Sequence, residues 1–307
     1  MTRFLATALG ALALAAPAMA QDAPEEIQRD NRGDIIVEGE RQIDGTEVGQ
    51  LGRDVTGRDA YSGDPLPRFQ RPICPGVWGL SEENAQIVIN RIYDNAELAG
   101  VEINAEPDCP ANLWVIFVDD PRETFSQLRS EEAFLVRGLE FFDRKAVSEQ
   151  EGPVLAWNVT TTRNQDGLVV ATPSENAAAF AEARALGAAP PSNNTTNMSR
   201  MRTAVQIEID MSVMLVERSA ITGLDALAVG DYATMRLLAR TRPPTRENAY
   251  DTVLSLFDDG LDYTPPNRLT DFDLAYLQSL YASRVDRPGR TALRNIDELM
   301  ELQARAE

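Results

Sequence analysis

The sequence predicts an α+β fold: a single domain with a mixed sheet of about four to five strands packed with helices, followed by a helical C-terminal part. Short apolar runs of strand length recur between residues 112 and 216. Amphipathic segments with helical periodicity separate these runs, and four more follow residue 225. No internal repeat is visible in the sequence, so one domain of about 220 ordered residues accounts for the pattern.

The chain begins with the pattern of a secretory signal peptide over residues 1–20. Arg3 precedes an acid-free apolar run over residues 4–16, and Pro-Ala-Met-Ala ends the segment at Ala20. A charged start, a short apolar core and a small-residue exit are typical of a signal peptide, here cleaved after Ala20. A transmembrane anchor is the alternative, but the run is shorter than the about 20 residues that cross a bilayer. The pattern predicts a periplasmic or secreted bacterial protein, with no membrane insertion of the mature chain.

Residues 21–66 are polar, rich in charged residues and glycine, and almost free of aromatics. Such a segment buries too little apolar surface to offset chain entropy, so we predict a disordered acidic leader. The globular domain is predicted over residues 67–285 and a C-terminal helix over residues 286–307.

Capping signals, turn residues and periodicity place the elements of the domain. In chain order we predict a helix capped by Ser81 and ending before Gly100, a strand over 112–118, a helix over 123–138, a strand over 154–161, a helix over 173–186, a loop over 187–200 and a half-buried strand over 204–216. Four helical segments then follow, over 225–241, 249–257, 270–283 and 291–306.

The mature chain carries two cysteines, Cys74 and Cys109. In an oxidising compartment an even pair is typical of a disulfide. Closing a loop of this length would stabilise the fold by about 3–4 kcal/mol on the chain-entropy model. We therefore predict a Cys74–Cys109 bridge.

The net charge of −19 comes from 48 acidic and 29 basic residues. Such a surface repels nucleic acids and anionic lipids, so we predict no nucleic-acid partner. Solubility is the simplest role for this charge, and recruitment of a basic partner is the alternative.

The chain contains no histidine. Histidine is the commonest metal ligand and general base, so its absence excludes Ser-His-Asp and Cys-His nucleophilic sites and His-ligated zinc or iron. No Gly-rich phosphate loop or Gly-x-Ser-x-Gly motif is present either. We predict no cofactor and no metal, and no motif indicates catalysis.

The order of elements over residues 204–281 resembles the active-site half of metzincin-like zinc peptidases. There a strand, a zinc helix with H-E-x-x-H-x-x-G-x-x-H, a short turn and a final helix opening Leu-Thr-x-x-Asp and closing Leu-Tyr follow one another. Here Leu269-Thr270, Asp273 and Leu280-Tyr281 fall in that order. The same ending resembles uncharacterised exported proteins of alphaproteobacteria. The resemblance implies a zincin-like architecture.

The zinc chemistry of that family is not carried over. Asp231, Met235 and Thr241 stand where the three histidines would be, and Tyr232 replaces the glutamate base. A catalytic zinc needs about three good ligands and an open position for water. The resemblance therefore implies a pseudoenzyme with a vestigial groove. Its candidate residues are Asp231, Tyr232, Met235, Arg236 and Thr241. The alternative is that these residues form the core face of an amphipathic helix.

Two functions remain open. The first is a non-catalytic binding or accessory protein whose groove holds an unknown protein or peptide partner without cutting it. The second is a carboxylate-dependent hydrolase of cell-wall glycan or peptide, based on Glu208 and Asp210, which share one face of a strand.

Overall fold

The structure is a computed structural model that describes residues 44–170, 173–188, 199, 202–249 and 251–305. These residues belong to one compact unit that starts at Ile43. Ten helices and a four-stranded mixed sheet are found among them, which confirms the α+β prediction. The predicted signal peptide and residues 21–43 of the predicted leader lie outside the described residues.

The sheet has the strand order β1-β2-β4-β3. Its strands are β1 (Pro75–Trp78), β2 (Leu113–Val118), β3 (Val154–Asn164) and β4 (Val205–Glu217). The strands β1, β2 and β4 run parallel, whereas β3 pairs antiparallel with β4 and forms the end of the sheet. β3 therefore has one edge that no other strand of the sheet covers.

The helices are α1 (Gly45–Thr56), α2 (Glu82–Leu98), α3 (Pro121–Ser130), α4 (Phe134–Arg137), α5 (Phe141–Ser148), α6 (Pro173–Leu186), α7 (Ala226–Leu237), α8 (Asp271–Ala282), α9 (Gly289–Ala292) and α10 (Ile296–Ala304). Buried side chains of α1, α2, α7 and α8 join one sheet face in the larger core. Side chains from α3, α4 and α5 pack with Trp157, Val213 and Leu215 on the other face.

β4 lies inside the sheet and is covered on both faces along its second half. Ser212 to Val216 are all buried, with Met214 and Val216 in the larger core and Val213 and Leu215 in the smaller one. The predicted half-buried strand was wrong in this half, because helices cover both sides of the sheet. Continuous apolar runs are typical of such strands.

The predicted disordered leader extended too far. Asp44 caps α1 through a capping box with Glu47, and Val48, Leu51 and Val55 of α1 are buried in the larger core. The boundary at residue 66 was wrong because three apolar residues at helical spacing outweigh a polar average over the whole segment.

Three further helix predictions needed correction. The helix predicted over 123–138 ends at Ser130, and Glu132 adopts a φ of 49°, which breaks it before α4. The segment 249–257 holds a short 3₁₀ turn, Val253–Ser255, and no α-helix was found in its described part. The predicted C-terminal helix is divided into α9 and α10.

The Cys74–Cys109 disulfide is present, with the two Cα atoms 6.1 Å apart. Close by, the Asn112 side chain accepts a hydrogen bond from the Cys74 N–H at 2.8 Å. The bridge thus attaches the loop before β2 to the start of β1.

Across the part of the chain that the structure describes, no helix is long and apolar enough to cross a membrane.

Candidate functional site

Helix α7 carries most of the predicted groove residues, and it lies in the interior. The Asp225 side chain caps it by accepting the Ala228 N–H, and every residue from Ala228 to Leu237 is buried. Asp231 and Met235 have no exposed surface and Tyr232 has 2%. The prediction that these three line an open groove was therefore wrong, because α7 packs between the sheet and helix α2.

Asp231 ties α7 to α2. Its carboxylate accepts from Arg91 Nε at 2.6 Å and from Arg91 Nη2 at 3.0 Å. Asn95 Nδ2 donates to the same carboxylate at 2.7 Å. A buried carboxylate with a two-point guanidinium partner and an amide donor has its hydrogen-bonding capacity used. Asp231 is a structural residue.

Tyr232 and Met235 contribute to packing. The Tyr232 ring stands edge-on to Phe257 with the ring centres 4.8 Å apart. Burial raises the pKa of the Tyr232 hydroxyl, since no water stabilises the phenolate. Met235 lies in the larger core. These two residues match the core-face alternative drawn from the sequence.

The Leu-Thr-x-x-Asp motif also has a structural role. Thr270 and Asp273 form a capping box at the start of α8. Asp273 accepts from Thr252 Oγ1 at 2.6 Å and from Val253 N at 2.8 Å, which fixes the 3₁₀ turn beside the helix. Burial raises the pKa of Asp273 to about 6, against the opposing effect of these hydrogen bonds.

Arg236 and Thr241 lie at a cavity of about 610 Å³, a size typical of small-ligand sites. Its walls come from the 3₁₀ turn after α1, from α5 and the residues that follow it, from β3, and from the end of α7. Two of the five predicted groove residues are thus brought together at one cavity. We call it the Arg236 cavity.

Arg236 is a buried cation in the wall of this cavity, with 2% of its surface exposed. Nη1 donates to the Thr241 carbonyl at 2.6 Å, and Nη2 donates to Gln150 Oε1 at 2.8 Å. Nε has no hydrogen-bond partner, and no carboxylate of the described residues forms an ion pair with this guanidinium. Burial lowers the pKa of Arg236, because the charged form is desolvated.

The open edge of β3 forms another wall. Gln150 Nε2 donates to the Ala156 carbonyl at 2.7 Å, and the Ala156 N–H donates to Gln150 Oε1 at 3.0 Å. Ala156 therefore points its backbone polar groups away from β4. Alternate residues of an antiparallel strand point the same way, so the backbone of Asn158 also faces outward, and Asn158 lines the cavity.

Other charges around the cavity are of both signs. Arg242 pairs with Asp54 at 3.1 Å, and Arg240 lies 3.8 Å from Asp59. Burial raises the pKa of Asp59, although Arg240 opposes this. At the rim stand acidic side chains: Asp143, Glu149 and Glu151.

The two carboxylates proposed for a hydrolase are engaged in ion pairs. Arg71 donates to Glu208 at 2.7 Å and to Asp210 at 2.6 Å, and Arg163 also pairs with Glu208. Glu208 is also buried, with 4% of its surface exposed. Neither carboxylate lines the Arg236 cavity.

Fold and site together define an α+β domain with a polar cavity at the edge of its sheet. The described residues contain no cluster of three or more histidine, cysteine or acidic side chains that could hold a metal ion. Comparison with protein-family models, curated proteins and solved structures found no match.

Sequence reasoning missed Gln150, Asp59 and the β3 residues of this cavity. Gln150 lies in a polar stretch and carries no motif. One signal was available: Arg236 stands between Met235 and Leu237-Leu238 in the last turn of α7, and a charged side chain among apolar residues is almost never fully buried unless it is paired.

Proposed function

We propose that the protein is an exported, non-catalytic binding protein whose Arg236 cavity holds an extended peptide segment of a partner. The observation that carries this proposal is the edge of β3, where the Gln150 carboxamide already bonds both backbone groups of Ala156. An amide placed in this way makes the two bonds that a neighbouring strand would make.

A peptide added to the sheet would continue this pairing. Peptides that add to a strand edge gain affinity from main-chain hydrogen bonds and specificity from side-chain pockets. The outward-facing Asn158 backbone supplies the next bonding position, and the cavity beside it supplies the pocket.

Export is proposed from the pattern of residues 1–20. The disulfide supports it, because such bridges persist in oxidising compartments. A periplasmic or secreted location follows from the two together.

The hydrolase is not proposed. Glu208 and Asp210 each accept from Arg71, and Arg163 also pairs with Glu208, so the oxygens of both carboxylates are engaged within the fold.

The test is backbone hydrogen exchange of the full chain with and without tetra-alanine. We expect the Asn158 amide to exchange more slowly with the peptide bound, whereas Val77 on β1, the opposite edge of the sheet, stays unchanged and serves as the internal control. Methylating the peptide's amide nitrogens should remove the effect, since it removes the donors. Binding that leaves the Asn158 amide unchanged would contradict edge pairing.

A further inference from the structure

We propose that the Arg236 cavity recognises a carboxylate of its ligand through the guanidinium of Arg236. The inference rests on the proposed function for the use of this cavity, and it adds the chemical group that is bound. A chain-terminal carboxylate of a peptide and a free small carboxylate share this chemistry.

The first argument is an incompletely satisfied charge. A buried guanidinium is costly unless it is paired and hydrogen-bonded. Arg236 is satisfied by two neutral oxygens only, from Thr241 and Gln150, and its Nε is left without a partner. An anion in the adjacent space would supply the opposite charge that Arg236 lacks.

Among the described residues one more arginine, Arg68, is buried, and its hydrogen bonds can be compared with those of Arg236. Arg68 donates from Nη1 to the carbonyls of Leu280, Tyr281 and Ser283, and it does not line the Arg236 cavity. No nitrogen of Arg68 is among the buried atoms that lack a partner. Both arginines are bonded by neutral oxygens, so Arg236 differs from Arg68 in its unpartnered Nε and in its place at the cavity wall.

The second argument is the contact with Gln150. Its Oε1 accepts from Arg236 at 2.8 Å. A carboxylate at this position would bring the opposite charge that an amide oxygen lacks, and guanidinium–carboxylate pairs are frequently bidentate. If the side chain of Gln150 turned, its amide N–H could donate to the same carboxylate.

The surrounding charges restrict the ligand further. Arg240 and Arg242 already have Asp59 and Asp54 nearby, whereas Asp143, Glu149 and Glu151 stand at the rim. Arg58 lines the cavity as well, so cations and acids are present in similar number and a ligand of low net charge fits best. A monocarboxylate with a neutral or cationic remainder fits both the buried cation and the acidic rim.

The experiment is calorimetric titration of the full oxidised chain with three probes: trialanine, trialanine with an amidated C-terminus, and acetate. We expect trialanine to bind, and the amide to bind about ten-fold or more weakly, because it lacks the charge that pairs with Arg236. Equal binding of acid and amide, or no binding of either carboxylate probe, would overturn the inference.

Two variants locate the site. Arg236→Met should lower the affinity for trialanine by about ten-fold or more. Arg218→Met, which changes an exposed arginine outside the cavity, should leave this affinity unchanged. Gln150→Glu places a carboxylate of the chain itself against Arg236 and should block the probe. Gln86→Glu makes the same change on the exposed surface of α2 and is its control.

These arms also separate the inference from the proposed function. If Arg236→Met does not fold, the Gln150→Glu variant still tests the inference. Trialanine binding retained in Gln150→Glu would contradict a carboxylate site at Arg236. If acetate binds as tightly as trialanine and displaces it, and both depend on Arg236, the carboxylate site is supported and the peptide groove is contradicted. If amidated trialanine binds as tightly as trialanine while exchange of the Asn158 amide is slowed, the peptide groove is supported and the carboxylate site is contradicted.

Discussion

At the scale of single residues, the acidic positions of α7 and α8 show how a motif can report structure rather than chemistry. Asp231 falls where the peptidase resemblance places a zinc ligand, and Asp273 belongs to the motif that opens the final helix. Both are fully buried and their oxygens are used within the fold. A sequence pattern shows which residues recur at a spacing, whereas the partner across the fold decides their role. For Asp231 that partner is Arg91, 140 positions away.

Asp273 makes the stability of the protein depend on pH. Its pKa is raised from 3.8 to about 6, so the folded state holds this proton more tightly than the unfolded chain does. The contribution of Asp273 to the free energy of unfolding is largest below about pH 4. It decreases by about 3 kcal/mol in total as the pH rises through about 6.

Urea unfolding of the wild type and Asp273→Asn across this range measures the effect. The free energy of unfolding of the wild type, relative to the variant, should fall by about 3 kcal/mol between about pH 4 and pH 7. Asp271→Asn, an exposed change in the same helical turn, is the control. A constant difference across the range would show that Asp273 does not carry this dependence.

At the scale of elements, sequence periodicity located β2, β3, β4 and most helices, but it missed β1, which has only four residues, Pro75–Trp78. Ser81 caps α2 as predicted, and Gly100 follows its end with a φ of 76°. Errors occurred where tertiary packing decided the outcome. α1 is stable because the rest of the domain covers its apolar face. β4 is buried on both faces because helices pack on each side of the sheet.

The contact between α2 and α7 depends on a small residue. A Cβ added at Gly230 would lie 2.8 Å from Arg91 Cβ and 2.9 Å from Arg91 Cγ. Arg91 cannot move away easily, because its guanidinium is held by Asp231. We expect Gly230→Ala to lower the free energy of unfolding by about 1–2 kcal/mol, overpacking exceeding the gain in helix propensity.

Thermal or urea unfolding tests this expectation. Gly45→Ala, at the first turn of α1, is the matched control, since its added Cβ would meet its nearest atom at 3.4 Å. The control should be neutral or slightly stabilising. Equal stability of Gly230→Ala and the wild type would mean that the two helices separate at little cost.

At the scale of the whole molecule, the folded domain includes residues from 44 onward, whereas the sequence predicted a start at residue 67. Val48, Leu51 and Val55 enter the core, and the Thr56 and Tyr276 hydroxyls are hydrogen-bonded at 2.8 Å. Burial of three aliphatic side chains is worth about 5–9 kcal/mol, comparable with the net stability of a domain.

Truncation separates the two boundaries. A chain starting at residue 44 should unfold at nearly the same temperature as one starting at residue 21, whereas a chain starting at residue 67 should lack a cooperative transition. Circular dichroism during heating measures both. A cooperative transition in the chain starting at residue 67 would restore the leader boundary first predicted.

Composition and charge can be counted from the sequence, and two cysteines allow only one intramolecular pair, so these features were predictable without knowing the packing. The Arg236 cavity was not predictable, since Arg236, Gln150 and Ala156 come from three segments whose contact depends on the packing of α7 beside the edge of β3. Arg236 itself was selected for its place next to a motif, and only the structure shows its unpaired Nε.

The central claim is that the Arg236 cavity is a binding site for the carboxylate of an extended peptide. A crystal structure of the full chain with trialanine tests it most directly. The account predicts the peptide's carboxylate within hydrogen-bond distance of the Arg236 guanidinium and its backbone beside Asn158. Trialanine bound elsewhere, or an Arg236 paired to a carboxylate of its own chain, would contradict it.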